Sequence, residues 1–129
     1  METGYIEVGD DKWGIVIVYN FDTENEYKPL SAIMRSFGLR ERNINRSLRI
    51  LSTFNSGMTI SVPELRMSVI FIGDATSESQ WWSTITHELL HAQQAILDYY
   101  GVGWEGESSA YTIGYLTQRA MEEIGKPCY

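Results

Sequence analysis

Residues 83–100 read STITHELLHAQQAILDYY and contain the pattern His87-Glu88-x-x-His91. On an α-helix, residues four apart lie about 40° apart around the axis and about 6 Å apart along it. Two imidazoles at that spacing can bind one zinc ion from the same face of the helix. The glutamate between them lies on the same side, where a carboxylate can take a proton from a water activated by the metal. The pattern therefore predicts a metal-binding helix.

The surrounding sequence fits a helix of about twenty residues. Ser77 or Ser79 can cap its start, and Gly101 is suited to end it. The chain contains two histidines, and both belong to this motif. An apolar face repeats at helical spacing and comprises Ile85, Leu89, Ala92, Ile96 and Tyr100. We therefore predict a largely buried helix that carries both histidines on one polar stripe.

A catalytic zinc usually has three protein ligands, so a third is needed. The chain has no further histidine and a single cysteine, Cys128, which leaves the carboxylates Glu105 and Glu107 as the nearest candidates. Residues 107–123 read as another helix, whose packing face would comprise Ala110, Ile113, Gly114 and Leu116–Thr117. Small Ala110 and Gly114 would allow this helix to approach the first one closely. Rigid elements position ligands better than turns do, so Glu107 is favoured over Glu105.

This motif, followed by a glutamate on the next helix, resembles the zincin metallopeptidases of the glutamate-ligand type. Over roughly residues 55–120 the chain is also similar to small phage- or prophage-associated zincin-like proteins. The resemblance implies zinc bound by His87, His91 and Glu107, with Glu88 as the general base that hydrolyses a peptide bond. A tyrosine would stabilise the oxyanion, a role open to Tyr111, Tyr115 or Tyr99.

The resemblance also implies a fold. We expect an α+β, minimal zincin-like domain, in which a small mixed or antiparallel β-sheet packs against the motif helix and the following C-terminal helix. In zincins a substrate peptide commonly lies along an edge strand near the metal. Residues 58–61 or the strand at 66–73 would be that edge, and a peptide or protein would be the substrate.

Composition limits the alternatives. A chain of 129 residues predicts one domain, residues 1–129, with 43% hydrophobic and 21% charged residues. The net charge of −7 argues against general nucleic-acid binding. No run of eighteen apolar residues and no signal peptide are visible, so we expect a cytoplasmic protein that does not enter a membrane.

The first half of the chain predicts more strands and helices. Residues 4–9 and 12–19 read as a β-hairpin, and the apolar run Trp13–Tyr19 is typical of a central strand covered on both faces. A short helix should end at Gly38, and residues 40–54 should form another. The three tryptophans of the second half, Trp81, Trp82 and Trp104, are interpreted as core and rim packing.

Residues 35–49 contain five of the ten basic residues and one acidic residue, Glu41. Such a run is usually a solvated helix face, but it can also bind an acidic partner or a phosphate backbone. The alternative to an enzyme is a catalytically silent zinc-containing protein, either a structural or assembly protein such as one derived from a phage, or a partner-binding protein that acts through this segment.

Overall fold

The computed structural model describes residues 1–10 and 12–124, so the lone cysteine at position 128 lies outside the described residues. Over these described residues the chain forms four strands and four α-helices, divided here between a first and a second half. The first half comprises β1 (Glu2–Val8), β2 (Trp13–Tyr19), α1 (Tyr27–Ser36) and α2 (Glu41–Leu51). The second comprises β3 (Gly57–Val62), a 3₁₀ turn (Pro63–Leu65), β4 (Met67–Ile72), α3 (Glu78–Tyr99) and α4 (Glu107–Glu123).

The four strands form one mixed sheet in the order β1-β2-β4-β3. The outer pairs, β1 with β2 and β3 with β4, are antiparallel hairpins, whereas the central pair β2 and β4 is parallel. A parallel pair needs a long crossover, which α1, α2 and β3 supply. The prediction that β2 is central is confirmed, and six of its seven residues are buried.

Helices cover the sheet on both faces. On one face α3 and α4 enclose a core with Ile15, Ile17 and Ile70 of the central strands. On the other face α1 and α2 enclose a second core with Val18, Val69 and Phe71. The expected α+β class with a mixed sheet is therefore confirmed, and the sheet lies between two helical layers. Within residues 1–10 and 12–124, no helix has both the length and the apolarity required to span a bilayer.

Helix α3 begins at a side-chain cap. The Ser77 hydroxyl accepts a hydrogen bond from the backbone N–H of Gln80 at 3.1 Å, which satisfies one of the free donors at the helix start. Gly101 has a φ of 68°, a conformation in which glycine ends helices at no steric cost. Trp81, Ile85 and Leu89 are fully buried against the sheet. The predicted helix is confirmed, and so is its apolar face from Ile85 to Ile96. Tyr100, the last residue of the predicted face, lies just beyond the helix and is exposed.

Helix α4 packs through only part of the predicted face. Ala110 and Gly114 are exposed, and no described atom outside the helix backbone lies within 4 Å of the point where a Gly114 Cβ would stand. Leu116 and Ala120 are the buried residues of the helix, with Ile113 partly buried beside them. The packing predicted for Ile113 and Leu116 is therefore confirmed. The prediction that Ala110 and Gly114 let the two helices approach closely is wrong, because both residues face solvent.

Candidate metal and catalytic site

The two histidines of the motif converge on one point. Their Nε2 atoms are 3.2 Å apart, and the two rings meet edge to face at an interplanar angle of 79°. Two nitrogens that bind one tetrahedral zinc at 2.0–2.1 Å are about 3.3 Å apart. The observed separation of 3.2 Å is compatible with a shared cation, and it is also the length of a hydrogen bond between the two imidazoles. Both rings are exposed, so a metal and a substrate can reach them from solvent.

Glu88 is buried beside this pair, with 5% of its surface exposed. Its Oε1 accepts a hydrogen bond from the Thr59 hydroxyl at 2.7 Å. Its Oε2 lies 4.0 Å from His87 Nε2, on the side of the imidazole pair. One carboxylate oxygen is therefore fixed by β3, whereas the other is directed toward the place where the two histidines converge.

Thr59 was not predicted as a site residue. It is 29 positions from Glu88 in the sequence, and its hydroxyl contacts both the Glu88 carboxylate and, at 3.2 Å, the Glu88 carbonyl. A threonine in a strand usually indicates β propensity only. The alternation of side chains along β3 is the available signal, since Gly57, Thr59 and Ser61 are small or polar whereas Met58 and Ile60 are apolar.

Gly57 allows this close packing of β3 on α3. A Cβ at this position would stand 2.8 Å from Thr84 Cγ2, 2.9 Å from Glu88 Cγ and 3.1 Å from Glu88 Oε2. No side chain other than hydrogen fits between the strand and the helix there. The glycine therefore sets the depth at which Glu88 lies beneath the strand.

The strand that carries Gly57 and Thr59 is an edge of the sheet. Of the two predicted edges, β3 is the edge strand, whereas β4 is paired on both sides. Gly73 donates its N–H to the Ser56 carbonyl at 2.9 Å, which makes this a hydrogen-bonded pair. Because such pairs alternate in an antiparallel ladder, the backbone groups of Gly57, Thr59 and Ser61 face away from β4. The open edge thus runs past Glu88.

The structure does not bring the predicted third ligand to the histidines. Glu105 and Glu107 are both exposed, Glu107 as the first residue of α4. The start of α4 is attached elsewhere, because the Gln93 amide donates to the carbonyl and the hydroxyl of Ser109 at 3.1 and 2.6 Å. Gln93 lies about 200° around α3 from His91. Among residues 1–10 and 12–124, no three His, Cys, Asp or Glu side chains are grouped to hold a metal. The assignment of Glu107 stays a prediction.

The three candidate tyrosines lie on different surfaces. Tyr111 is 75% exposed on α4. The Tyr115 hydroxyl donates to the Glu7 carbonyl at 3.3 Å, and the Tyr99 ring packs edge to face on Trp13. The structure engages two of the three in contacts with the first hairpin and leaves Tyr111 as the one most accessible to solvent. Its role as an oxyanion donor stays a prediction.

A cavity of about 350 Å³ adjoins the histidines toward the start of α3. His87 and Glu88 are among its lining residues, so it opens directly onto the candidate site. Its remaining walls are contributed by the 55–57 segment and α3, and the side chains there are Asn55, Ser56, Gln80, Ser83 and Thr84. We call this cavity the site pocket. Apart from Glu88 and the titratable His87, its lining is neutral and polar.

The arginine-rich segment lies on the opposite face of the sheet. Arg35 pairs with Glu41 at 2.7 Å, so it is not free to bind a partner. Arg42, Arg46 and Arg49 are exposed at positions i, i+4 and i+7 of α2, and we call them the arginine face. They make no ion pair with any residue that the structure describes.

The chain was compared with protein-family models, curated proteins and solved structures, and none of the three comparisons finds a match. The case for function therefore depends on the residues and their geometry.

Proposed function

We propose that this protein is a zinc-dependent hydrolase of peptide bonds, in which His87 and His91 bind the metal and Glu88 is the general base. The observation that supports it most strongly is the 3.2 Å separation of the two Nε2 atoms beside a buried carboxylate. The architecture fits the expected zincin-like domain, since the motif helix packs beneath an open strand edge. Zinc bound there would supply a Lewis acid that polarises a carbonyl and lowers the pKa of water.

The position of Glu88 supports the role of general base. Its Oε1 is fixed by the Thr59 hydroxyl, so its Oε2 remains available on the side of the histidines. It would take the proton of the attacking water and then deliver that proton to the leaving amine. Because the carboxylate is held from both the strand and the helix, little reorganisation would be needed during the reaction.

The open edge of β3 would hold the substrate. An extended peptide can add to such an edge through main-chain hydrogen bonds, and the outward-facing groups of Gly57, Thr59 and Ser61 are suited to this. Thr59 also contacts Glu88, so a peptide along this edge would pass close to the base. Main-chain pairing would make binding tolerant of peptide sequence, with selectivity coming from pockets beside the edge.

Glu107 is proposed as the third ligand. Its approach to the histidines requires that the start of α4 leave the Gln93–Ser109 contact. Two features fit such a movement. Gly101, Gly103 and Gly106 make the connection between α3 and α4 adaptable, and the buried Gln93 Oε1 has no hydrogen-bond partner among the described residues.

The test compares two variants with the parent chain after each protein is incubated with zinc and unbound metal is removed. Glu88→Gln should keep the metal and lose cleavage of a peptide mixture, whereas His91→Ala should lose both. Gln118→Leu, on an exposed part of α4, is the control and should retain both. Cleavage by Glu88→Gln at the parent rate would show that Glu88 is not the base.

A partner-binding role is the second candidate, favoured by the arginine face. Three exposed arginines without ion pairs to described residues are suited to carboxylates, which guanidinium groups bind in a fork. In this role zinc would only hold α3 and α4 together and catalysis would be absent. Replacement of Arg42 and Arg46 by glutamate would then abolish capture of an acidic partner and leave the zinc content unchanged. If this variant still captured the partner and Glu88→Gln did not, the partner-binding role would be contradicted.

A further inference from the structure

The site pocket holds polar groups that the fold leaves without partners. The side-chain amide of Gln80 and the hydroxyl of Ser83 line it, and neither of these groups makes a hydrogen bond with a described residue. Both side chains are exposed on the first turns of α3, and both can donate as well as accept. This wall therefore offers two donors to whatever enters the pocket.

Two further hydroxyls in the pocket can only accept. The Thr84 hydroxyl already donates to the Gln80 carbonyl at 3.0 Å, and the Ser56 hydroxyl donates to the Thr53 carbonyl at 2.7 Å. A hydroxyl has one hydrogen, so each of these oxygens has only lone pairs left for a ligand. The pocket thus presents donors from Gln80 and Ser83, and acceptors from Thr84 and Ser56.

We propose that the site pocket is a specificity subsite for a primary amide, the side chain of Asn or Gln in a substrate residue next to the hydrolysed bond. The inference rests on the proposed peptidase function. An amide is the side-chain group that donates two hydrogen bonds and accepts others while carrying no charge. The subsite adjoins the bond because His87 and Glu88 line the same cavity.

Other side chains satisfy this lining less well. An apolar side chain would displace water from the polar groups of Gln80, Ser83, Thr84 and Ser56 without forming hydrogen bonds to them, which is unfavourable. A carboxylate would approach Glu88, the one acidic residue in the lining, and would be repelled. A lysine or arginine would be attracted by Glu88 and would find acceptors, but it has no acceptor of its own for the donors of Gln80 and Ser83, so it is the main competitor of an amide.

The test is cleavage of a mixture of synthetic tetradecapeptides that contain every residue type, by the zinc-loaded full chain, with products identified by mass spectrometry. Each net hydrogen bond changes binding about fivefold, so we expect Asn and Gln to be enriched at least about fivefold at one position beside the cut. In the double variant Gln80→Leu/Ser83→Ala the enrichment should vanish, because cleavage beside Asn and Gln should fall to the level seen beside other residues. Gln118→Leu places the same substitution on α4 and should keep the enrichment.

A binding measurement on Glu88→Gln gives a second readout that needs no turnover. A fluorescein-labelled peptide from the mixture with Gln in the enriched position should bind about fivefold tighter than its Leu counterpart, and the pocket double variant should remove this difference. Cleavage with an apolar or charged preference at both flanking positions would overturn the subsite and leave the peptidase function standing. Absence of cleavage by the zinc-loaded parent would overturn both. Because Gln80, Ser83 and Gln118 are exposed, the pocket double variant and the Gln118→Leu control should both melt within a few degrees of the parent.

Discussion

Substitution of Gly57 by alanine should disturb the contact on which the site depends. The new Cβ would meet Thr84 Cγ2 at 2.8 Å and Glu88 Cγ at 2.9 Å, about 0.5 Å inside the ordinary contact distance of 3.4 Å. Neither neighbour yields easily, because the Thr84 hydroxyl is bonded to the Gln80 carbonyl and the Glu88 carboxylate to Thr59. Strand β3 and helix α3 must therefore separate.

Crowding of this kind costs about 1–3 kcal/mol of the free energy of unfolding. For a domain of this size each kcal/mol lowers the melting temperature by about 3–5 °C, so we expect a fall of about 3–15 °C. The same displacement moves Glu88, so hydrolysis should fall by more than the loss of folded protein explains. Calorimetry and circular dichroism at neutral pH measure the first effect, and peptide cleavage below the melting range measures the second.

Gly114→Ala is the matched control. Gly114 lies within α4, and the added Cβ meets no described atom within 4 Å outside the helix backbone. Alanine is favoured over glycine in a helix by about 0.5–1 kcal/mol, so this variant should melt a few degrees above the parent. If Gly57→Ala also melts at or above the parent temperature, β3 does not pack on α3 as closely as described, and the proposed positioning of Glu88 is refuted.

Three other predictions follow from contacts in and around the site. Thr59→Val removes the hydroxyl that donates to the buried Glu88 carboxylate, so the free energy of unfolding measured in urea should fall by about 1–3 kcal/mol. Thr59→Ser keeps a hydroxyl and should retain most of this free energy. Equal losses in the two variants would contradict the role of the hydrogen bond. Backbone hydrogen bonds from Asn25 and Glu24 hold the pKa of Asp22 below its ordinary value of 3.8. The ionised carboxylate therefore stabilises the fold above about pH 4, and this contribution is lost as the pH falls through the lowered pKa. Asp22→Asn should therefore be less stable than the parent at pH 7, and the gap in melting temperature should close below pH 4; a gap independent of pH would contradict the assignment. Glu107→Gln should weaken zinc binding at least about tenfold, as measured by competition with a chelator, whereas Glu105→Gln should leave it unchanged. If Glu105→Gln weakens zinc binding and Glu107→Gln does not, Glu105 is the ligand.

The sequence could predict those parts of the molecule that depend on local pattern. The apolar repeat of residues 85–96 and the cap at Ser77 fix α3, and an uninterrupted apolar run fixes β2 as a central strand. The convergence of His87 and His91 follows from helical spacing alone. These features depend on neighbours within a few residues, which is why they could be predicted.

The remainder depends on contacts between distant segments. Gly57 and Thr59 meet Glu88 across about thirty positions, and only the assembled sheet brings them together. On α4 the prediction holds for Leu116 and Ile113, which bury apolar surface against the core, and fails for Ala110 and Gly114, which share their helical spacing but bury little surface.

Zinc titration of the metal-free full chain by calorimetry tests the central claim most directly. We predict one zinc ion per parent chain, one zinc ion per Glu88→Gln chain, and no stoichiometric binding by His91→Ala. A parent chain that binds no zinc, or a His91→Ala variant that binds it as the parent does, would contradict a metal held between His87 and His91.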